Sequence, residues 1–433
     1  MRKLALNSAV LSLGAYISQI ANVILYILAA RDFGPSLFGS LAALIGIAIV
    51  VSSFADFGIN GVTTRTLARD PSSIEPFSRT LTAKLTIGVL LAALWAVATV
   101  VTMNRSSLLV ATCLIAAYLA LQIVMGTLTV PFRAAENMAV VGLVTSVEKC
   151  SALGAWVVLR PLTGNDPALL PTTLAVGCGM AVLCAIALLP KPFRSIGRPS
   201  PQQLVVLWRS SFSFGMVGVA SQILRADVAI VGSVAGSYAA GVYAAPARLA
   251  NFLTVVPASF SAAVFPRLAG GLDRRAVRRE AVIGASVVLL VMALGLLILG
   301  IAAPVIVPIA LGRAYSSSAD VLRVYLVVVL ISSVNQPLLA FLQAEGHERY
   351  AGRATVAAVI LGLGAIAIGA RIDGGVGAAW GGVVLQTILL LLMGYKTMHA
   401  ARTFVPLHAT TELTDEGLAI RVLPDVADSQ TDR

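Results

Sequence analysis

Residues 8–30 read SAVLSLGAYISQIANVILYILAA, a run with no charged residue. A helix of that length rises about 35 Å, enough to cross a hydrocarbon core of ~30 Å. The run follows Met1-Arg2-Lys3 and so mimics a secretory leader. It is too long for one and carries Gln19 and Asn22, so it reads as a retained first span. Eleven further runs follow at 37–56, 83–103, 107–127, 142–160, 168–189, 212–234, 241–264, 281–303, 320–342, 353–370 and 376–396. Twelve spans put both termini on the same side of the membrane.

Composition agrees. Hydrophobic residues make up 58% of the 433 positions and charged residues 12%, where soluble domains carry about 25% charge. Mean hydropathy is +0.91. In hydrocarbon only helices and closed barrels satisfy every backbone N–H and C=O. The apolar runs here are continuous rather than alternating, so the expected fold class is all-α, a polytopic membrane protein.

Lysine and arginine set the orientation. The loops on the side of the termini hold twenty of them, including Arg2, Lys3, Arg65, Arg69, Arg133, Arg267 and Arg274. The opposite loops hold six: Arg31, Arg105, Arg160, Arg313, Arg323 and Arg371. This asymmetry places the termini in the cytoplasm. Basic loops against an anionic leaflet also explain the net charge of +11 without a nucleic-acid partner.

A Pro-rich connector over 191–211 (KPFRSIGRPSP at its start) divides the spans six and six. The expected organisation is an N-terminal lobe over 1–190, a C-terminal lobe over 212–400 and a disordered acidic tail over 401–433. The halves resemble each other. Ser18-Gln19-Ile20-Ala21-Asn22 recurs as Ser221-Gln222-Ile223-Leu224-Arg225. Gly34 and Gly39 before Leu41-Ala42-Ala43 recur, 202 residues later, as Gly236 and Gly241 before Tyr243-Ala244-Ala245. Arg65 and Arg267 share that offset. Halves of six spans enter the membrane from the same side, giving a parallel repeat of the kind that rocks two lobes about a central site.

Polar residues inside spans locate the candidate site. A charge at a helix centre costs roughly 2.5–3.5 kcal/mol on insertion scales and therefore faces a cavity or a partner. Arg225, Arg248 and Asp227 fall at similar depth in spans 7 and 8. One reading pairs Asp227 with Arg248 and leaves Arg225 uncompensated, because residues two apart on a helix do not face each other. Arg225 is then either a contact for an anionic substrate or a structural charge. Span 1 carries Ser8, Ser12, Tyr16, Gln19, Asn22 and Tyr26 on one face, and span 7 carries Gly218, Gln222 and Arg225. These stripes either line a lumen that binds sugars and phosphates or bind helices to each other. Glu148 and Lys149 in span 5 form either a snorkelling pair or part of an inner vestibule. Asp56 closes span 2 and reads as a cap or ion-pair member rather than a coupling-ion site. Pro257 and Pro337 predict kinks.

Nothing points to covalent chemistry. The sequence has no P-loop, no Gly-x-Ser-x-Gly, no dinucleotide-binding glycine pattern and no His/Asp/Glu cluster, so no enzyme activity, metal or cofactor is expected. Cys113, Cys150, Cys178 and Cys184 lie in apolar runs and are expected as small buried hydrophobes.

Several short motifs carry a family resemblance. Span 2 ends in Asp56-Phe57-Gly58-Ile59-Asn60, followed by Arg65 and Ala68-Arg69. Span 8 opens with Gly241-Val242-Tyr243-Ala244-Ala245-Pro246-Ala247-Arg248-Leu249 and ends in Phe265-Pro266-Arg267-Leu268-Ala269, with Asp227 preceding it. Over residues 1–400 the chain resembles polysaccharide biosynthesis proteins of the Wzx type, in the multidrug/oligosaccharidyl-lipid/polysaccharide exporter superfamily. The resemblance implies two six-helix lobes related by pseudo-two-fold symmetry, with a central cavity lined by spans 1, 2, 7 and 8. It implies flipping of an undecaprenyl-pyrophosphate-type glycan across the bacterial cytoplasmic membrane by alternating access, with cavity arginines on the pyrophosphate. Its partners would be membrane lipids, a polysaccharide polymerase and glycosyltransferases. Twelve spans and few cations in span 1 separate the chain from lipid II flippases. A cation-coupled multidrug exporter, which would need an acidic cavity, and a non-transporting scaffold are the alternatives.

Overall fold

The computed structural model describes residues 2–70, 74–103, 107–194, 222–257, 274–344 and 347–402, with 209, 211, 215, 218 and 219. Most of the predicted connector, the acidic tail, Arg267 and the first part of span 7 lie outside the described residues. The described chain is helical, without strands. Its principal helices are α1 (Arg2–Asp56), α2 (Ile59–Arg69), α3 (Glu75–Met103), α4 (Leu109–Leu128), α5 (Val130–Ala134), α6 (Met138–Thr163), α7 (Leu169–Leu188), α8 (Asp227–Asn251), α9 (Arg274–Leu311), α10 (Ser318–Ala344) and α11 (Glu348–Arg402).

Nine helices among the described residues are long and apolar enough to cross a membrane. Three double back on themselves, at Gly34, at Gly236 and at Asp373-Gly374, so among the described residues the nine helices comprise twelve helical arms. Side-chain contacts across the bends demonstrate the reversal. The rings of Tyr26 and Phe38 meet edge to face at 6.3 Å between centroids; on a straight helix they would lie about 18 Å apart. The Tyr243 hydroxyl reaches Asp227 at 2.8 Å, where a straight helix would separate them by about 24 Å. Gly34 and Gly236 turn the chain at φ 67° and 87°, a conformation that disfavours any residue bearing a Cβ. Pro35 then opens the second arm of α1, where its missing N–H costs nothing.

The helices sort into two lobes. Helices α1, α3, α4, α6 and α7 pack on one another, and so do α8, α9, α10 and α11. Helices α1 and α8 join the lobes through the most extensive helix–helix contact among the described residues. Outward faces are apolar and open, as at Val101, Leu162 and Ile372, which suits lipid rather than water. Inside, threonine hydroxyls return to the carbonyl a turn earlier, as Thr63 does to Ile59 at 2.9 Å and Thr127 to Ile123 at 3.0 Å.

The seam between the lobes bears out the sequence repeat. Gly39 packs against the Ser237 carbonyl and Gly241, while Gly241 packs against the Pro35 carbonyl. Residues 39 and 241 are 202 apart, and so are 35 and 237. Each lobe therefore offers the same patch to the other, as a two-fold axis through the seam requires. At the far end Gly215 packs on Phe57, so the lobes touch on both sides of the space between them.

Pro337 lies inside α10. The cysteines differ from the expectation. Only Cys178 is buried, Cys113 and Cys184 are partly so, and Cys150 is exposed on α6.

Candidate functional site

A cavity of about 370 Å³ lies between the two arms of α1 and the C-terminal lobe. Arm one of α1 contributes Gln19, Asn22 and Val23; arm two contributes Gly46 and Ile49. The tight turn Leu224–Ala226 and α8 supply Arg225, Asp227, Tyr243, Arg248 and Asn251, with Tyr325 on α10 and Gln386 on α11. Gly46 permits this geometry, since a Cβ there would press on the Arg225 carbonyl.

Depth follows from the bends. Arg225 lies eleven residues before Gly236 and Arg248 twelve after it, or roughly 17–18 Å along the helix axis. Gln386 lies twelve residues past Gly374, at the same ~18 Å. In a core ~30 Å thick these groups sit near the midplane, where transporters of this architecture hold their cargo.

Hydrogen-bonding and aromatic contacts hold the two arginines. Arg225 donates from Nε to Gln222 Oε1 at 2.8 Å. Its terminal nitrogens have no partner among the described residues, and Gln222, expected on the lumen wall, acts as their positioner. Arg248 lies over the Tyr26 ring at 4.1 Å from its centroid, a cation–π contact made across the lobe seam. Among the described residues no carboxylate lies within ion-pair distance of either guanidinium.

The anticipated Asp227–Arg248 ion pair is absent. Asp227 Oδ1 accepts from the Val228 N–H at 2.7 Å and Oδ2 from the Tyr243 hydroxyl at 2.8 Å. Its place in the first turn of α8 also suits a carboxylate electrostatically. Repeat-equivalent positions in the N-terminal lobe, Leu25 and Leu41, are both fully buried leucines. The buried carboxylate and its phenol partner thus have no counterpart in the N-terminal lobe.

Other predicted residues fall elsewhere. Tyr16 is half-buried and outside the cavity wall. Tyr26 is buried beneath Arg248. Ser8 and Ser12 lie on the helical part of α1, with side chains outside the described residues. Glu148 is buried in the N-terminal lobe. Its Oε1 accepts from Lys149 Nζ at 2.6 Å and from Cys178 Sγ at 3.6 Å, and Cys178 also approaches Gln122 Oε1 at 3.1 Å. The Glu148–Lys149 pair is therefore turned into its own lobe and does not line the cavity. Asp56 pairs with Lys84. No group of three potential metal ligands occurs among the described residues.

The sequence reading missed Asn251, Tyr325, Asn335 and Gln386. Asn251 was accessible to it, since it lies three residues after Arg248 on the same helical face. Asn335, 4% exposed, donates from Nδ2 to Gln386 O at 3.0 Å and to Gln386 Oε1 at 2.8 Å. Its own Oδ1 is buried with no partner among the described residues.

Two helical lobes about a polar cavity share their fold with solved membrane transporters. The lipid II flippase MurJ in an inward closed conformation superposes with a TM-score of 0.72 at 14% identity, covering 90% of this chain and 87% of that one. An inward-facing multidrug resistance MATE family transporter of the MOP superfamily gives 0.63 at 14% identity, covering 90% and 96%. Its outward-facing counterpart gives 0.61 at 14%, covering 92% and 96%. The polysaccharide biosynthesis protein family model matches residues 4–271, and the chain belongs to that family. A sequence search of curated proteins returns no match.

Proposed function

We propose that the protein flips a polyprenyl-pyrophosphate-linked glycan from the inner to the outer leaflet of the bacterial cytoplasmic membrane, with both termini cytoplasmic, for cell-surface polysaccharide synthesis. One observation carries the reading: Arg225 and Arg248 meet a midplane cavity with no carboxylate partner among the described residues. Two guanidiniums without a carboxylate in ion-pair contact among the described residues, in a low-dielectric setting, favour an anion that joins them. Planar N–H forks suit the oxygens of a pyrophosphate. The glycan rides through the cavity while the lipid tail stays in the bilayer between the lobes, and closure alternates between the two ends. The role assigned is transport rather than catalysis, with glycosyltransferases upstream and a polymerase downstream.

A cation-coupled multidrug exporter is the rival, resting on Asp227 in the cavity wall and on the MATE-like fold. Asp227 already accepts two hydrogen bonds there, which favours the anion.

Arg225→Ala tests the proposal. Losing a charge-assisted contact costs about 1.5–3 kcal/mol, so glycan export falls roughly tenfold to hundredfold at unchanged protein abundance. Arg225→Lys restores part of it, because an ammonium keeps the charge and loses the fork. Normal export by Arg225→Ala, or resistance to cationic dyes conferred by the wild type, would overturn the assignment.

A further inference from the structure

The two arms of α11 meet again far from their turn, on the side of the chain termini, which is cytoplasmic in the proposed orientation. Tyr350 lies 24 residues before Gly374 and Lys396 lies 22 after it, roughly 36 and 33 Å along the helix axis. Both distances slightly exceed a hydrocarbon core of ~30 Å, so this end of the lobe stands at headgroup level. Lys396 is also ten residues past the cavity residue Gln386, or ~15 Å. We infer that this end of α11 binds an anionic phospholipid of the cytoplasmic leaflet, with the lipid phosphate on Arg349, Arg353 and Lys396. The inference rests on the proposed orientation and not on what the cavity carries.

The cations stand on a fixed base. The Tyr350 hydroxyl donates to the Leu392 carbonyl at 2.9 Å and ties the two arms together. The Lys396 ammonium lies 5.7 Å from the centre of the Tyr350 ring, a cation–π contact. Behind them Leu342, Ala351 and Met393 form a small buried core. Arg349 precedes Tyr350 directly, and Arg353 follows Arg349 by one turn on the same helical face. Both arginines are exposed. Among the described residues no carboxylate comes within ion-pair distance of Arg349, Arg353 or Lys396. The side chain of the neighbouring Glu348 lies outside the described residues. Arg79, Arg160 and Arg323, by contrast, each have an acid in contact.

Apolar groups beside the cations favour a lipid over a soluble anion. Leu391, Tyr395 and Met398 follow at steps of four and three, so they share one face of α11. They are 67%, 67% and 61% exposed. The His399 ring stacks on Tyr395 with centroids 6.3 Å apart and planes 5° from parallel. The strip thus has an aromatic margin where the headgroups begin. A phosphate at Lys396 sets its acyl chains against this strip, which runs from Met398 toward the membrane interior at Leu391. A soluble phosphate has no use for it. Any basic residue near an anionic leaflet attracts lipid, by about fivefold each. Fixed cations with an apolar seat add saturation and selectivity to that general attraction.

The test titrates phosphatidylglycerol into the full-length protein, purified in a neutral detergent at about 0.15 M salt, and counts retained lipid by native mass spectrometry. One molecule binds ahead of the rest, and neither phosphatidylcholine nor inorganic phosphate displaces it. Lys396→Gln weakens that molecule by about fivefold, and Arg349→Gln, Arg353→Gln and Lys396→Gln together weaken it by about a hundredfold. The single variant carries the comparison if the triple is unstable. Arg65→Gln with Arg69→Gln removes two exposed basic residues from α2 and changes the affinity by less than about twofold, because salt screens distant charges. Equal weakening by the α2 pair would reduce the effect to general attraction. Displacement by inorganic phosphate or phosphatidylcholine, or unchanged binding by Lys396→Gln and by the triple variant, would equally overturn the site. None of these outcomes touches the flippase reading, which Arg225→Ala tests.

Discussion

Gly241→Ala lowers export by up to about a hundredfold and leaves the cavity open toward the Gly34 and Gly236 turns. The added methyl meets the Pro35 carbonyl, and the neighbours are backbone on both sides of the seam. No rotamer change can relieve that overlap. Overpacking of this kind costs about 1–3 kcal/mol, and the upper end corresponds to a shift of about a hundredfold in a two-state equilibrium. Alternating access needs this seam to close in every cycle. Gly39→Ala produces the same effect, since the repeat places it against the Ser237 carbonyl. Gly364→Ala, with no neighbour within 4 Å, changes neither export nor access. The readouts are export and labelling of Asn22→Cys by an impermeant maleimide, in a background with the four native cysteines replaced by serine. Label enters the glycine variants from the side of the turns faster than it enters wild type, in which that side is open for only part of the cycle. Wild-type export by Gly241→Ala would remove the seam from the transport cycle.

That seam was legible in part. Spacing between Gly34, Gly39, Gly236 and Gly241 exposes the repeat, because a turn and a close approach both need residues without Cβ. It does not say that the equivalent glycines touch each other, since contact across a pseudo-axis depends on how two lobes dock. The same distinction separates the correct and incorrect parts of the site. Arg225 and Arg248 stand out because a charge at mid-membrane is expensive wherever the lobes lie. The partner of Asp227 does not, because Tyr243 and Arg248 both follow it on span 8 within reach. Tyr26, from the other lobe, takes Arg248 and leaves Tyr243 for Asp227. Asn251, Tyr325 and Gln386 escape notice because neutral polar residues in spans are common as helix–helix contacts. Only the convergence of α8, α10 and α11 on one cavity distinguishes them. Comparing halves would have helped: Leu25 and Leu41 against Asp227 and Tyr243 show which lobe carries the buried carboxylate and its partner.

Asp56→Ala destabilises the protein by about 3 kcal/mol, through the charge it leaves behind rather than the one it removes. Lys84 is 1% exposed and its ammonium pairs with Asp56. Arg133 lies close enough for its charge to act on both. Removing the carboxylate leaves a buried lysine facing a second cation. Breaking such a pair costs about 3–5 kcal/mol, and replacing both members by neutral groups of similar size costs far less. The low end applies because Asp56 is itself 41% exposed, so water screens part of the loss. The Thr63–Thr80 hydrogen bond at 2.9 Å ties α2 to α3 beside this pair, so loosening there frees the amphipathic helix α2. Asp56→Asn combined with Lys84→Met recovers stability to within about 1 kcal/mol of wild type. Glu75→Ala breaks the Arg79 pair, whose carboxylate is 67% exposed, and costs less than about 0.5 kcal/mol. Inactivation half-lives of the detergent-purified proteins at fixed temperature rank the variants, with Asp56→Ala shortest. A double variant as labile as Asp56→Ala would show that the instability comes from lost packing at Asp56, and the buried-charge account would fail.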